Sequence, residues 1–145
     1  MSYRTLRNLV EHQKVLTTAS VKTTVHEAAR LMRETQVGAL IIVDRGRVVG
    51  IFTERDALFR VLAEGLNPEI TPMSTVMTAD PLTVHPDRPF VYALHLMHEN
   101  GFRHVLVAEN GRPLGVVSAR DALVREAEEF ETTLHQREHL EAIMA

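Results

Sequence analysis

Residues 50–58 of this 145-residue chain read Gly-Ile-Phe-Thr-Glu-Arg-Asp-Ala-Leu, and residues 115–123 read Gly-Val-Val-Ser-Ala-Arg-Asp-Ala-Leu. In each copy a glycine and two apolar residues are typical of the end of a buried strand, and a hydroxyl residue follows where a helix would begin. An Arg-Asp pair then falls in the first helical turn. The stretch therefore predicts a strand-to-helix junction that is used twice, with its polar groups at the mouth of a sheet.

The two halves of the chain match along their length at a constant offset of 65 positions, without a gap. The offset brings together identical residues throughout: Thr18 with Thr83, Ala28 with Ala93, Leu31-Met32 with Leu96-Met97, Gly46-Arg47 with Gly111-Arg112, and Arg60 with Arg125. So many matches at one offset indicate that a whole supersecondary unit has been duplicated. We expect two copies to form a pseudo-symmetric pair.

Each unit is predicted to be β-α-β-β-α. In the first unit a short extended segment at 15–19 precedes apolar residues at helical spacing from Val25 to Met32. The apolar runs 39–43 and 48–52 flank a turn and predict a buried hairpin, and a helix follows from Arg55. The fold class is therefore α/β, with two tandem β-α-β-β-α repeats packed as a pseudo-two-fold pair and a C-terminal helical extension.

The predicted domain boundaries follow from these units and from the prolines between them. They are an N-terminal segment 1–14, a first repeat 15–66, a linker 67–78, a second repeat 79–126 and a helical tail 127–145. Apolar residues recur in the last helix at spacings of four, three and four: Leu123, Ala127, Phe130 and Leu134. This seam is typical of a helix that packs on another surface, either in a homodimer or in a tail folded over its own module.

Composition excludes several classes of function. The chain has no cysteine, so thiol catalysis and a disulfide framework are excluded. Arg4 and Arg7 interrupt the N-terminus, so we expect no signal peptide, and no apolar run reaches membrane-spanning length. The net charge of -3 gives no overall attraction to nucleic acid or to an anionic membrane. We expect a soluble, cytoplasmic protein.

Both junctions admit two interpretations. The candidate residues are Thr53, Arg55 and Asp56 in the first repeat and Ser118, Arg120 and Asp121 in the second. A capping box explains the hydroxyl and the carboxylate without any ligand. The arginines favour a ligand, because a cation in the first helical turn opposes the helix dipole by roughly 0.3–1 kcal/mol unless an anion is bound there. A carboxylate, in turn, has two oxygens that can accept hydrogen bonds from two ribose hydroxyls.

With these motifs the chain resembles a tandem CBS-domain pair, also called a Bateman module, of the stand-alone bacterial type. The resemblance covers about residues 15–126, and residues 77–84 also resemble the entry to a repeat in this family. It implies a regulatory sensor, not an enzyme, which binds AMP, ADP, ATP or NAD in the cleft between the repeats. It also implies assembly as a disc-like homodimer.

The resemblance further implies roles for individual residues. The aspartates would bind ribose, the hydroxyl residues and arginines would hold phosphate, and the adenine edge would bond to backbone near Thr17-Thr18 and Leu82-Thr83. A basic residue just before the middle strand often reaches phosphate in the family; this is Arg103 in the second repeat, whereas the first repeat has Gly38. We therefore expect unequal clefts. The stronger one is predicted to contain Ser118, Arg120, Asp121 and Arg103, with the Thr17-Thr18 segment.

Residues 135–139 match the zinc-peptidase pattern H-x-x-E-H, but they lie in the tail with no domain beyond them to supply a third ligand. We expect a polar helix face there, no metal site and no catalytic residue. Membrane and nucleic-acid partners are not expected either. The competing function is a dimerising interaction scaffold whose clefts stay empty.

Overall fold

A computed structural model describes residues 4–13 and 16–144, except for the side chains of Arg125 and Glu126. Within these residues two β-α-β-β-α units follow one another, so the predicted fold class is confirmed. The predicted start of the first repeat, at residue 15, lies outside the described residues. The domain boundaries therefore stay predictions.

The helices and strands have the following bounds. The first half contains α1 (Leu6–Glu11), β1 (Thr18–Ala19), α2 (Val25–Thr35), β2 (Ala39–Asp44), β3 (Arg47–Thr53), α3 (Glu54–Asp56) and a π-helix (Ala57–Leu62). The second half contains α4 (Met73–Val76), β4 (Thr78–Ala79), β5 (Thr83–Val84), α5 (Phe90–Asn100), β6 (His104–Glu109), β7 (Arg112–Ser118) and α6 (Ala119–Met144).

Each repeat has its own sheet. β1 is parallel to β2, and β2 forms an antiparallel hairpin with β3; β5, β6 and β7 repeat this arrangement. The hairpin turns have positive φ at both central residues, 53° at Arg45 and 78° at Gly46, then 54° at Asn110 and 78° at Gly111. Two consecutive positive φ angles match the right-handed twist of the flanking strands, which explains the glycine in both turns.

The middle strand of each repeat is buried on both faces. On β2, Leu40 and Ile42 join the core beneath the repeat's own helices, whereas Ala39 and Ile41 face the other repeat. β6 alternates in the same way. Because successive side chains of a strand point to opposite faces, one strand serves both the core of its repeat and the contact between repeats. That contact is an apolar cluster of Ala39, Ile41, Ile51, Leu106 and Ala108.

Short segments that lie outside the predicted repeats complete the core of each repeat. α1 precedes the first repeat but inserts Leu6 and Val10 into the core of the second. α4 and β4 lie largely within the predicted linker, and they complete the first repeat: Met73 and Val76 join its core and β4 pairs with β3. The position of each cleft is thus fixed by chain from both halves.

The helix after the first junction differs from the prediction. It begins at Glu54 and continues as a π-helix, with hydrogen bonds such as that from Ala63 N to Leu58 O, 2.9 Å. A π-helix has i→i+5 bonds, so the 3.6-residue spacing that predicted one apolar face does not hold. Val61 is buried, whereas Leu58 and Leu62 are exposed.

Candidate functional site

The first strand-to-helix junction is a complete capping box. Thr53 Oγ1 accepts a hydrogen bond from Asp56 N at 3.2 Å, and Asp56 Oδ2 accepts one from Thr53 N at 3.0 Å. Asp56 Oδ1 also lies 3.5 Å from Arg60 Nε. Arg60 in turn donates to the carbonyl of Met77 at 3.1 Å. Oδ2 makes the bond that the capping interpretation requires, and Arg60 in addition gives Oδ1 a protein partner.

The second junction repeats half of this geometry. Asp121 Oδ2 accepts a hydrogen bond from Ser118 N at 2.7 Å. The residue equivalent to Arg60 is Arg125, whose side chain is outside the described set. In both repeats the first helical N–H also bonds to the residue before the middle strand, Glu54 N to Gly38 O and Ala119 N to Arg103 O, each at 3.0 Å. The two junctions thus share one backbone arrangement.

A first cleft of about 1090 Å³ lies between the repeats. It brings together five residues that the sequence singled out: Thr17, Arg103, Ser118, Arg120 and Asp121. Its walls come from both repeats, since the β1 segment of one repeat faces the junction of the other. A carboxylate, a hydroxyl and two guanidinium groups in one cleft match the donor and acceptor needs of a ribose phosphate.

A second cleft of about 690 Å³ is lined by Thr53, Arg55, Asp56, Leu82 and, again, Arg103. The two clefts differ in volume, but their relative affinity for anions stays a prediction. Arg103 was assigned to the first cleft alone, and it lines both. Thr18 and Thr83 lie in β1 and β5, and neither belongs to the described lining of either cleft.

The arginines of the two junctions have different surroundings. The guanidinium of Arg55 lies 5.3 Å from the centre of the Phe59 ring, and it donates to Gly101 O at a marginal 3.5 Å. Within the described residues, no hydrogen bond or ion pair engages the guanidinium groups of Arg103 and Arg120. Two unpaired cations therefore face the first cleft.

Comparison with protein families agrees with this architecture. The family model described as the CBS domain matches residues 7–63 and 73–128. The chain belongs to the CBS-domain family. The resemblance found in the sequence is thereby confirmed, and both halves of the CBS pair are accounted for.

Individual relatives extend the comparison. The CBS domain-containing protein CBSCBSPB2 of Arabidopsis thaliana is 39% identical over 102 residues, which are 70% of this chain but 19% of that protein. This CBS pair thus spans about a fifth of the length of that curated relative. An uncharacterized conserved protein from Pyrococcus horikoshii has a crystal structure with a TM-score of 0.76 and 33% identity, covering 87% of this chain and 95% of that one.

A third relative carries a ligand. The structure of the CBS domain protein PAE2072 from Pyrobaculum aerophilum, complexed with AMP, has a TM-score of 0.69 and 29% identity to this CBS pair. The match covers 77% of this chain and 87% of that one.

Several residues of the first cleft were missed by the sequence analysis. Gln13 lines it from the end of α1 and donates from Nε2 to Val116 O at 2.6 Å. Gln36 lines it at a left-handed φ of 56°, where the equivalent residue of the second repeat is Gly101. A non-glycine residue at such an angle is uncommon. The mismatch with Gly101 was the signal available in the sequence, but only the structure shows the backbone angle.

Thr17 has an unexpected environment. Its side chain is 9% exposed, and its hydroxyl oxygen is buried without a hydrogen-bond partner among the described residues. The family resemblance implies only a backbone role for the segment that contains Thr17. An unsatisfied buried hydroxyl costs about 1–3 kcal/mol, so its presence in the wall of a cleft requires an explanation.

The tail histidines have exposed side chains. His135 Nδ1 lies 3.9 Å from Glu138 Oε2, and both side chains are largely exposed. The described part of the chain contains no group of three or more potential metal ligands. Nor does it contain a helix that is both long and apolar enough to cross a membrane.

Proposed function

We propose that this CBS pair is a regulatory module that binds an adenosine-containing ligand, AMP, ADP, ATP or NAD, in the clefts between its repeats. The observation that carries the proposal is the first cleft, where Asp121 lies with two unpaired guanidinium groups, those of Arg103 and Arg120. The AMP complex of the Pyrobaculum aerophilum relative supports the same ligand class. The chain acts as a sensor rather than as a catalyst.

Each group has a role in this proposal. Asp121 accepts from the ribose hydroxyls through the oxygen that does not cap the helix. Ser118 and the first N–H groups of α6 hold a phosphate, whose charge the helix dipole and Arg120 favour. The base lies toward the Thr17 segment, where backbone groups read its edge. In the second cleft Thr53, Arg55, Asp56, Leu82 and Thr83 take the equivalent roles, with less freedom at Asp56 because Arg60 holds it.

Thermal unfolding with AMP, ADP, ATP, NAD and adenosine tests the ligand class. A ligand present at one hundred times its Kd stabilises the folded chain by about 2.7 kcal/mol. For a chain of this length we expect the unfolding midpoint to rise by roughly 8 °C. No rise with any of the five compounds would contradict the proposal.

Calorimetric titration of two matched variants then locates the site. Asp121→Asn keeps an oxygen that can accept from Ser118 N but loses the negative charge, and Asp56→Asn is the same change in the second cleft. We expect Asp121→Asn to weaken the tighter binding event at least tenfold and Asp56→Asn to leave that event unchanged. The opposite pattern would assign the tighter event to the second cleft.

The competing function is a dimerising scaffold, and it is favoured by the exposed apolar side chains of α6. Leu123 is 67% exposed, Phe130 64% and Leu134 40%, although they share one face of the helix. This face, and the exposed face of the π-helix, suit contact with a second copy of the chain. Truncation after Glu126 tests the tail: a folded monomer would assign the dimer to it, and an unchanged dimer would assign it to the repeats.

A further inference from the structure

Three side chains lie where the two clefts meet, and each lines both: Glu54, Arg103 and His104. Their equivalents at the 65-residue offset are small and uncharged: Ala119, Gly38 and Ala39. The pseudo-two-fold symmetry of the repeats is therefore broken at the junction between the clefts. We call these three side chains the partition.

The missing side chain at Gly38 makes room for the partition. A Cβ atom added to Gly38 would lie 3.2 Å from Glu54 Oε1 and 3.2 Å from His104 Nε2. Both side chains thus occupy space that an ordinary residue would fill. The backbone beneath them is fixed by the paired hydrogen bonds from Glu54 N to Gly38 O and from Ala119 N to Arg103 O.

The partition contains one lasting positive charge. Burial lowers the pKa of the His104 imidazole. Glu54 and Asp121 oppose this shift and the charge of Arg103 adds to it, so the ring is neutral at neutral pH. Arg103 is exposed, and its guanidinium makes no hydrogen bond or ion pair within the described part of the chain, although its charge acts on the neighbouring His104. With the carboxylate of Glu54 the formal charge of the partition is zero before a ligand arrives.

We propose that Arg103 is shared by the two clefts, so that an anionic ligand bound in either cleft lowers the affinity of the other cleft for an anionic ligand. This inference rests on the proposed nucleotide-binding function. The phosphate that binds Arg103 first neutralises it and leaves Glu54 uncompensated beside the second cleft. The first phosphate and Glu54, which are both negatively charged, then repel a second phosphate. The effect is reciprocal, because the coupling of two binding equilibria is symmetric.

The neighbouring arginines supply matched controls. Arg120 lines the first cleft and Arg55 the second, and neither is in the described lining of both. Replacing Arg120 or Arg55 by alanine should therefore weaken AMP binding in one cleft each. Replacing Arg103 should weaken it in both.

Titration calorimetry with AMP, and with uncharged adenosine for comparison, measures the coupling between the clefts. Variants that impair one cleft distinguish this coupling from a difference in the intrinsic affinities of the two clefts. Asp121→Asn and Asp56→Asn each impair one cleft and report the affinity of the other alone. We expect the second AMP to bind the wild type at least about fivefold more weakly than it binds the same cleft in isolation. Adenosine should show no such difference. In the Arg103→Ala background AMP should show a smaller difference than in the wild type, because only the repulsion from the first phosphate and from Glu54 remains once the shared cation is removed.

Each outcome decides the question. Equal AMP affinities in the isolated and the occupied state would overturn the coupling but leave nucleotide binding intact. If the wild type binds one AMP but two adenosine molecules, the coupling is so strong that it excludes the second AMP. If it binds only one molecule of AMP and only one of adenosine, the proposed coupling is overturned. If neither AMP nor adenosine binds, the titrations are repeated with ADP, ATP and NAD, and failure of all five compounds to bind overturns the proposed function itself. Because Arg103 is exposed and unpaired, circular dichroism should show that its alanine variant folds normally.

Discussion

The two clefts occupy equivalent places in the two repeats, yet their walls differ. The first cleft carries a buried threonine at position 17, where the second carries the half-exposed Leu82. It also carries Gln36 where the second repeat has Gly101. Beside its polar residues, the wall of the second cleft has large apolar or aromatic side chains that the first lacks at the equivalent places, among them Leu82, Phe59 and Phe102.

This difference separates two properties that duplication would otherwise keep together. The backbone of the junction is the same in both repeats, so both present an aspartate and a helix N-terminus to a cleft. The side chains around that common geometry have diverged. Under the proposed function, the duplicated backbone would supply the ribose-phosphate contacts, and the diverged walls would determine which ligand each cleft prefers.

The largest expected effect concerns the glycines that begin both junction stretches. A Cβ at Gly115 would lie 2.7 Å from Val10 Cγ1 and 2.6 Å from Gln13 Oε1. Val10 is β-branched and buried, so it cannot move aside easily. Gly115→Ala should therefore destabilise the fold by about 2 kcal/mol, as overpacked cores do. Chemical denaturation followed by circular dichroism measures the loss.

Gly50→Ala is the matched variant in the first repeat. There the added Cβ would meet the Met77 side chain, which is long and flexible, and would lie 3.1 Å from Thr78 O. Because methionine adapts its shape, we expect roughly half the loss found at Gly115. Equal losses would show that α1 holds the second repeat no more rigidly than the α4–β4 segment holds the first.

The sequence predicted the fold because its main features are local. The hairpins, the helix α2 and the strand-to-helix junctions each follow from spacing and turn chemistry within a few residues, and the constant offset then implied two similar units. The same local reasoning placed Ser118 and Asp121 together, since they lie three residues apart at a helix start. The structure confirms the fold, and the ligand-binding roles of these residues stay predictions.

What the sequence could not predict depends on contacts between distant residues. The insertion of α1 into the second repeat brings Val10 next to Gly115, although the two residues are far apart in the chain. No periodic pattern around either residue predicts this contact. The shared position of Arg103 depends likewise on how two sheets pack through the apolar cluster between them. The family pattern predicted Arg103 for one cleft, because a motif position contains no information about which clefts the side chain reaches in space.

A smaller effect is expected at Thr17, the polar residue that distinguishes the first wall from the second. Thr17→Val replaces the unpaired hydroxyl by a methyl group of similar size. Because the buried hydroxyl gains no hydrogen bond, its removal should stabilise the unliganded chain by about 1 kcal/mol, measured by chemical denaturation. Thr18→Val, at the less buried neighbour, should change stability by under about 0.5 kcal/mol.

Loss of stability in Thr17→Val would mean that the hydroxyl has a hydrogen-bond partner in solution. The walls of the two clefts would then differ at positions 17 and 82 in side-chain packing and not by an unpaired polar group. A gain in stability combined with weaker AMP binding would sharpen the comparison. It would show that the first cleft keeps a polar group at a cost to the fold because the ligand uses it.

The smallest expected effect is a pH dependence of folding stability that arises from His104, whose equivalent in the first repeat is the non-titrating Ala39. Burial and, to a smaller extent, the charge of Arg103 lower the pKa of His104 below the usual value of about 6.5, against the opposing influence of Glu54 and Asp121. Below pH 6.5 the unfolded chain therefore binds a proton that the folded chain resists, so stability falls as the pH drops from 6.5 toward the folded-state pKa. Above pH 6.5 the imidazole is neutral in both states and its contribution is constant. His104→Ala, which copies the first repeat, should remove this part of the slope in denaturation curves measured between about pH 7 and pH 5. If the variant and the wild type lose stability in parallel over that range, His104 does not titrate differently in the folded and unfolded chains. The partition then differs in charge from its equivalents Ala119, Gly38 and Ala39 through Arg103 and Glu54 alone.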